Sequence, residues 1–154
     1  MPEIPAYQRC LSRLQRLCAK AEYCRQDMYR KALKDLEGDN DAAYRVVEAL
    51  QADGYVSDAR YAALFAREKA SLQGWGPVKI RFQLRAKGIS EQAVEEALSQ
   101  IDSAKAADKL ERLLRTKAHS LQGDPSFRLK ILKFGLSRGY SYESVEEALK
   151  QIEA

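Results

Sequence analysis

The sequence is poor in histidine, cysteine and long hydrophobic runs. Its single histidine, His119, follows an inner-face alanine on a predicted long helix, a position more typical of a surface residue than of a catalyst. Three cysteines near the N-terminus have no histidine beside them and do not form a zinc site. No apolar stretch approaches the roughly 20 residues that a membrane span requires. We therefore expect that the protein is not an enzyme, binds no metal or cofactor and does not span a membrane.

The N-terminus and the cysteines indicate a compartment. Residues 1–5 lack the basic start and apolar core of a signal peptide. Cys10 and Cys18 lie on one helical face about two turns apart, too far for a disulfide. With Cys24 the cysteines are odd in number, and reduced thiols are the simplest interpretation. We expect a cytoplasmic protein and a monomer.

Two further patterns resemble chemical motifs without meeting their requirements. The pairs Glu95-Glu96 and Glu146-Glu147 diverge by about 100° on a helix, so we interpret them as solvated faces rather than paired catalytic carboxylates. Gly74-Trp75-Gly76 is not followed by Gly-Lys-Ser/Thr, so it indicates a helix break rather than a phosphate loop. Trp75 has two interpretations: it packs at a junction between helical units, or it contacts a partner.

Charge is distributed unevenly along the chain. Charged residues make up 31% and hydrophobic residues 45%, a composition typical of a folded protein. Segment 57–88 has a net charge of +5, 89–102 of −4, 103–139 of +6 and 140–154 of −3. Acids near helix starts favour the helix dipole, which explains part of the alternation. The rest predicts one basic face for an anionic partner.

One short phrase occurs three times. It reads Val-Val-Glu-Ala-Leu at residues 46–50 and Val-Glu-Glu-Ala-Leu at 94–98 and 145–149, so its final leucines are 48 and 51 residues apart. Similar helix stops, Lys87-Gly88-Ile89-Ser90 and Arg138-Gly139-Tyr140-Ser141, precede the second and third copies. A period near 50 residues indicates an internal repeat.

The repeat and the helical periodicity together predict the fold. No segment shows sustained period-two alternation, so we expect an all-α protein. The predicted architecture is an elongated, curved array of three tandem three-helix repeats, at 7–56, 57–102 and 103–154.

Two local features are also predicted. We expect Asp124 to cap a helix that begins at Pro125. The helix that opens the second repeat has an apolar stripe, formed by Tyr61, Leu64, Phe65 and Leu72.

The second repeat carries a family resemblance. Asp58-x-Arg60-Tyr61-Ala62 and Gly74-x-Gly76-Pro77-x-x-Ile80-x-x-x-Leu84-x-x-Lys87-Gly88-Ile89 resemble the signature of the RecX family of bacterial recombination regulators. The third repeat follows the family more loosely, through Lys130, Phe134, Leu136 and Arg138-Gly139-Tyr140. The first follows it through Asp27-Met28-x-x-Lys31-x-Leu33, with Cys24 where the family usually has serine.

The resemblance implies a fold of three three-helix repeats and a non-enzymatic role as a modulator of RecA recombinase. Members of the family lie in the groove of the RecA–DNA filament, span neighbouring protomers and usually inhibit its ATPase and strand exchange. The partners implied are the RecA filament and single- and double-stranded DNA, the DNA being bound weakly or through the filament. An elongated basic module suits this role, because many weak contacts add through multivalency.

On this basis we predict the side chains that contact the partner or DNA. Their role would be electrostatic anchoring, and they are Arg60, Arg67, Lys79, Arg81, Arg85, Lys87, Lys130, Lys133 and Arg138. An alternative for some of them is an ion pair within the chain. Two other functions stay open: a stand-alone DNA-binding helical repeat, and a scaffold whose charges serve solubility alone.

Overall fold

The computed structural model describes residues 4–153, and within this range it contains nine α-helices and no strand. The helices are α1 (Ala6–Cys18), α2 (Arg25–Asp35), α3 (Asn40–Ala52), α4 (Asp58–Ser71), α5 (Pro77–Ala86), α6 (Glu91–Ser99), α7 (Ser103–Ser120), α8 (Phe127–Ser137) and α9 (Tyr142–Glu153). Extensive helix packing occurs within α1–α3, within α4–α6 and within α7–α9, which we call the first, second and third repeats. The predicted all-α fold of three tandem three-helix repeats is confirmed.

Polar side chains fix where several helices begin. Asp39 accepts a hydrogen bond from the backbone N–H of Ala42 at the start of α3, and Ser90 accepts one from Ala93 at the start of α6. Such caps satisfy donors that the first turn of a helix leaves unpaired. They explain why the helices that carry the repeated phrase in the first two repeats start where they do.

The predicted start of α8 at Pro125 is wrong. The helix begins at Phe127, and Asp124 does not cap it. Instead Asp124 Oδ1 accepts a hydrogen bond from Ser126 N (2.7 Å), and Asp124 O accepts one from Phe127 N (3.0 Å). These bonds close a turn over residues 124–127, so the helix begins two residues later than predicted.

Each repeat encloses a small hydrophobic core of its own. Fully buried side chains include Leu14 and Met28 in the first repeat, Ile80 and Leu84 in the second, and Leu114 in the third. Because these three cores are separate clusters, the relative placement of the repeats depends on the contacts at the junctions between them.

The predicted apolar stripe on α4 is only partly correct. Tyr61 and Phe65 pack against the core of the second repeat, but Leu72 is 75% exposed. It lies at the C-cap, beyond the last turn of α4. The residues of α4 that are fully buried are the small Ala62 and Ala66.

The second and third repeats meet through their backbones. The loop between α4 and α5 lies against the turn that follows α8. Gly76 N donates a hydrogen bond to Arg138 O (2.8 Å), and Val78 N donates one to Gly139 O (2.9 Å). Both donors lie at the start of α5, where backbone N–H groups have no partner within their own helix.

This close approach requires glycine on both sides. A Cβ atom on Gly76 would lie 2.6 Å from Tyr140 N, and one on Gly139 would lie 2.9 Å from Lys79 N. Gly139 also has a φ of +96°, in the left-handed region. The glycines of both sequence motifs therefore permit a backbone contact that no side chain would allow.

Replacing Gly139 with alanine should destabilise the protein through both effects. We expect the free energy of unfolding to fall by about 2–4 kcal/mol, from left-handed strain and from displacement of the junction. Urea denaturation followed by circular dichroism measures the change.

Gly123→Ala is the matched control. Gly123 has a φ of +82°, but a Cβ there would meet nothing within 4 Å. It should cost only the strain of about 1–2 kcal/mol. Equal losses in the two variants would show that the close approach at Gly139 does not contribute.

Candidate partner-binding surface

Two of the predicted anchoring residues hold the first repeat to the second. Lys87 Nζ lies 2.8 Å from Asp27 Oδ1, and Arg60 Nε lies 3.1 Å from Glu22 Oε1. Each cation belongs to the second repeat, and each carboxylate precedes or opens α2. These cations therefore serve the junction, where they neutralise acids of the same chain.

A third polar contact and a buried thiol complete the first junction. Asp58 Oδ1 accepts a hydrogen bond from Arg25 N (2.8 Å) at the start of α2. Cys24, the residue before α2, is fully buried in the core of the second repeat. Burial raises the pKa of this thiol to about 11, so it is protonated and packs as a small hydrophobic side chain.

The Asp27–Lys87 pair has a defined pH range. Burial alone raises the pKa of Asp27, but hydrogen bonds from Lys87 and Cys24 outweigh it, so the pKa is below its ordinary value. The same pair raises the pKa of Lys87. The contribution of Asp27 to stability is thus present above its unfolded-state pKa and is lost as pH falls through the folded value. That of Lys87 is present below its unfolded-state pKa and is lost as pH rises through the folded value.

Arg81 and Arg85 on α5 pair with acids of α6. Arg81 forms ion pairs with Glu91 (2.7 Å) and Glu95, and Arg85 forms one with Glu91 (2.8 Å). Hydrogen bonds to these carboxylates raise the pKa of both arginines. The net positive charge of segment 57–88 is therefore offset locally by the acidic segment that follows it.

Two predicted residues of the third repeat also have partners in the chain. Lys130 Nζ lies 2.6 Å from Asp124 Oδ2. Arg138 Nη2 donates a hydrogen bond to Gln73 O, across the second junction, while its buried Nε has no hydrogen-bond partner among the described residues. Arg138 thus secures the junction that Gly76 and Gly139 form.

Four predicted residues have no ion pair within residues 4–153: Arg67, Lys79, Lys133 and Arg138, the last of which bonds a backbone carbonyl instead. Lys79 Nζ lies 4.2 Å from the ring centroid of Trp75, with Lys69 Nζ at 4.9 Å. The Trp75 side chain packs on the core of its own repeat, whereas the backbone of its loop forms the junction. Five of the nine predicted cations therefore pair with carboxylates of the chain. Contact of any of the nine with a partner stays a prediction.

Histidine, cysteine, aspartate and glutamate are residue types that often serve in catalysis or metal binding. Within residues 4–153 no three potential metal ligands among histidine, cysteine, aspartate and glutamate lie together. His119 is exposed. No helix in the described part of the chain is both long and apolar enough to span a bilayer.

Known proteins with similar sequences decide the family. Residues 57–98 match the family model described as RecX, second three-helix domain. The regulatory protein RecX of Escherichia coli (strain K12) is 34% identical over 157 residues, which cover 93% of this chain and 91% of the relative. This chain belongs to the RecX family.

Another relative and two solved structures agree with this assignment. RecX of Shigella sonnei (strain Ss046) is also 34% identical, with the same coverage. A crystal structure of regulatory protein RecX matches with a TM-score of 0.83 and 22% identity, over 94% of this chain and 72% of that chain. RecX from Lactobacillus salivarius matches with a TM-score of 0.83 and 19% identity, over 96% and 97%. The sequence relatives are named regulatory proteins rather than enzymes.

The matched RecX segment contributes to both junctions. Residues 57–98 contain Asp58, Arg60 and Lys87, which hold the first repeat, and Gly76, which meets the third. Much of the RecX signature in this chain is thus explained by how its repeats connect.

Sequence reasoning missed a set of exposed apolar side chains on the middle helices of the second and third repeats. They are Val78 and Phe82 on α5 and Leu129 and Leu136 on α8. A signal existed, because α5 carries Val78 and Phe82 in addition to the core pair Ile80 and Leu84. A short helix that is apolar on more than one side indicates a second contact surface.

Replacing Asp27 with asparagine should weaken the first junction. At neutral pH we expect the free energy of unfolding to fall by about 1 kcal/mol, because the pair is partly screened by solvent. The loss of stability between about pH 7 and pH 3 should be smaller than in the unsubstituted protein, because one titrating carboxylate is gone. Urea denaturation at a series of pH values measures both quantities.

Asp108→Asn is the control for this prediction. Asp108 is an exposed carboxylate on α7 and has no ion pair within residues 4–153. Its substitution should change the free energy of unfolding by less than about 0.5 kcal/mol. If Asp27→Asn behaved in the same way, the pair with Lys87 would not form in solution.

Proposed function

We propose that this protein binds the RecA–DNA filament and inhibits its ATPase and strand exchange, as a regulator of recombination and DNA repair. The observation that carries the proposal is the 34% identity over 93% of the chain to a regulatory protein RecX. It acts as a monomer in the cytoplasm, and its three free cysteines are in keeping with that reducing compartment.

The repeat architecture supports this proposal physically. Three units with separate cores follow one another along the chain, and each can contact a different protomer of a filament. Several weak contacts on one molecule act together through effective concentration. A ligand that spans neighbouring protomers stabilises the filament conformation it binds and so opposes the changes that turnover requires.

The stand-alone DNA-binding alternative has less support. Five of the nine predicted cations pair with carboxylates of the chain, namely Arg60, Arg81, Arg85, Lys87 and Lys130. Binding to DNA without a protein partner relies on cations that neutralise phosphates and release counterions. A cation must break its existing ion pair to do so, which reduces the gain.

The central test is ATP turnover by RecA from the same organism on single-stranded DNA. Addition of this protein below the RecA concentration should lower turnover, and the protein should co-sediment with filaments more than with naked strand. Unchanged turnover together with an absence of co-sedimentation would remove the proposal. Co-sedimentation with naked strand as strong as with filaments would favour the DNA-binding alternative.

Charge removal tests the electrostatic part of the proposal. The double substitution Arg67→Gln/Lys133→Gln removes two exposed cations without breaking an ion pair within the described residues. At low salt it should weaken filament binding roughly two- to ten-fold, with the difference shrinking as salt increases. Filament co-sedimentation over a salt series measures it.

Lys20→Gln/Lys34→Gln is the matched control. Both lysines are exposed residues of the first repeat and also have no ion pair among the described residues. This variant should stay within about two-fold of the unsubstituted protein. Equal weakening in both variants would show that total charge, rather than position, controls binding.

A further inference from the structure

Helix α5 exposes two apolar side chains that its own repeat does not cover. Val78 is 54% and Phe82 68% exposed. They lie four residues apart and so share one face of the helix. Ile80 and Leu84 on α5 are fully buried in the core. Val78 and Phe82 therefore form an outer apolar face in addition to the one that stabilises the fold.

Helix α8 also exposes two apolar side chains, one repeat later. Leu129 is 53% and Leu136 43% exposed, and seven residues place them on one face. The exposed Lys133 lies between them on that face. Leu129 follows Val78 by 51 residues, which is also the distance from Gly88 to Gly139 at the helix stops. Val78 and Leu129 thus occupy equivalent positions of two repeats, whereas Lys133 stands at the position equivalent to Phe82.

The second junction brings the two faces to neighbouring helix ends. The hydrogen bond from Val78 N to Gly139 O (2.9 Å) joins the start of α5 to the turn after α8. Leu136 precedes Gly139 by three residues, so the end of α8 that carries Leu136 lies beside the start of α5 that carries Val78. Exposed apolar side chains that recur along adjoining helices are typical of an interaction surface.

The chemistry of these faces favours protein over nucleic acid as the occupant. On α5 the arginines are neutralised by Glu91 and Glu95, and these carboxylates repel phosphate. Val78, Leu129 and Leu136 are aliphatic and cannot stack with bases as aromatic platforms do. Burial of apolar side chains against a protein surface stabilises a complex by about 25 cal/mol per Å² removed from water.

We propose that the outer faces of α5 and α8 contact protein protomers of the filament, through Val78, Phe82, Leu129 and Leu136. The matching surface carries apolar side chains flanked by carboxylates, which Lys133 meets. This inference rests on the proposed function and adds to it the face that binds protein. The presence of an exposed apolar face on each of two repeats fits a partner that is itself a repeating array of protomers.

The test uses Phe82→Ser/Leu129→Ser, which changes one exposed side chain in each repeat. Co-sedimentation and fluorescence anisotropy measure binding to RecA filaments and, separately, to free single-stranded DNA. Filament affinity should fall roughly ten-fold or more, as for the loss of central apolar contacts, while DNA binding stays unchanged. The midpoint of thermal unfolding should stay the same, because both side chains are exposed.

Tyr44→Ser is the matched control, because Tyr44 is an aromatic residue of α3 that is 55% exposed. The affinity of Tyr44→Ser for filaments should stay within about two-fold of that of the unsubstituted protein. Phe82→Leu keeps an apolar side chain and should retain filament binding. Unchanged filament affinity in the double variant overturns the inference while leaving the proposed function intact. A parallel loss of free-DNA binding overturns it by assigning the face to nucleic acid. Failure of the unsubstituted protein to bind filaments overturns both.

Discussion

The backbone contact between Gly76 and Gly139 determines how the second and third repeats lie against each other. Each repeat has its own core, so hydrophobic burial stabilises the repeats individually without fixing their relative placement. Two backbone hydrogen bonds between the repeats, from Gly76 N and Val78 N to the turn after α8, supply that placement. Because hydrogen bonds are directional and the glycines permit close approach, the positions of α5 and α8 relative to each other follow from this contact.

The two junctions depend on different physics. The first is held mainly by ion pairs and a buried thiol, with Lys87 and Arg60 reaching back to Asp27 and Glu22. Salt and acid act on such pairs, since screening and protonation weaken them. The second depends on backbone hydrogen bonds and on the bond from Arg138 to Gln73 O, none of which involves a carboxylate that acid would protonate. Acid that weakens the junction between the first and second repeats should therefore leave the placement of α5 against α8 unchanged.

The helical array could be predicted from the sequence because its signals are local and repeated three times. The start of α8 could not, because the turn that Asp124 closes competes with the helix that Pro125 would begin. The nine cations could be identified by charge, but Glu22 and Asp27 lie 38 and 60 residues from their partners, and such pairing appears only in the folded chain. Likewise, composition does not distinguish Phe82 from the buried Leu84, because packing alone decides which side of α5 faces the core.

Amide hydrogen exchange at Gly76 and Val78, measured by NMR, tests the second junction most directly. Arg128 provides the reference, since it is the second residue of α8 as Val78 is of α5. Amides at such positions have no acceptor within their own helix and ordinarily exchange quickly. We predict that Gly76 and Val78 exchange much more slowly than Arg128, because Arg138 and Gly139 accept their hydrogen bonds. Exchange at both positions as fast as at Arg128 would contradict it.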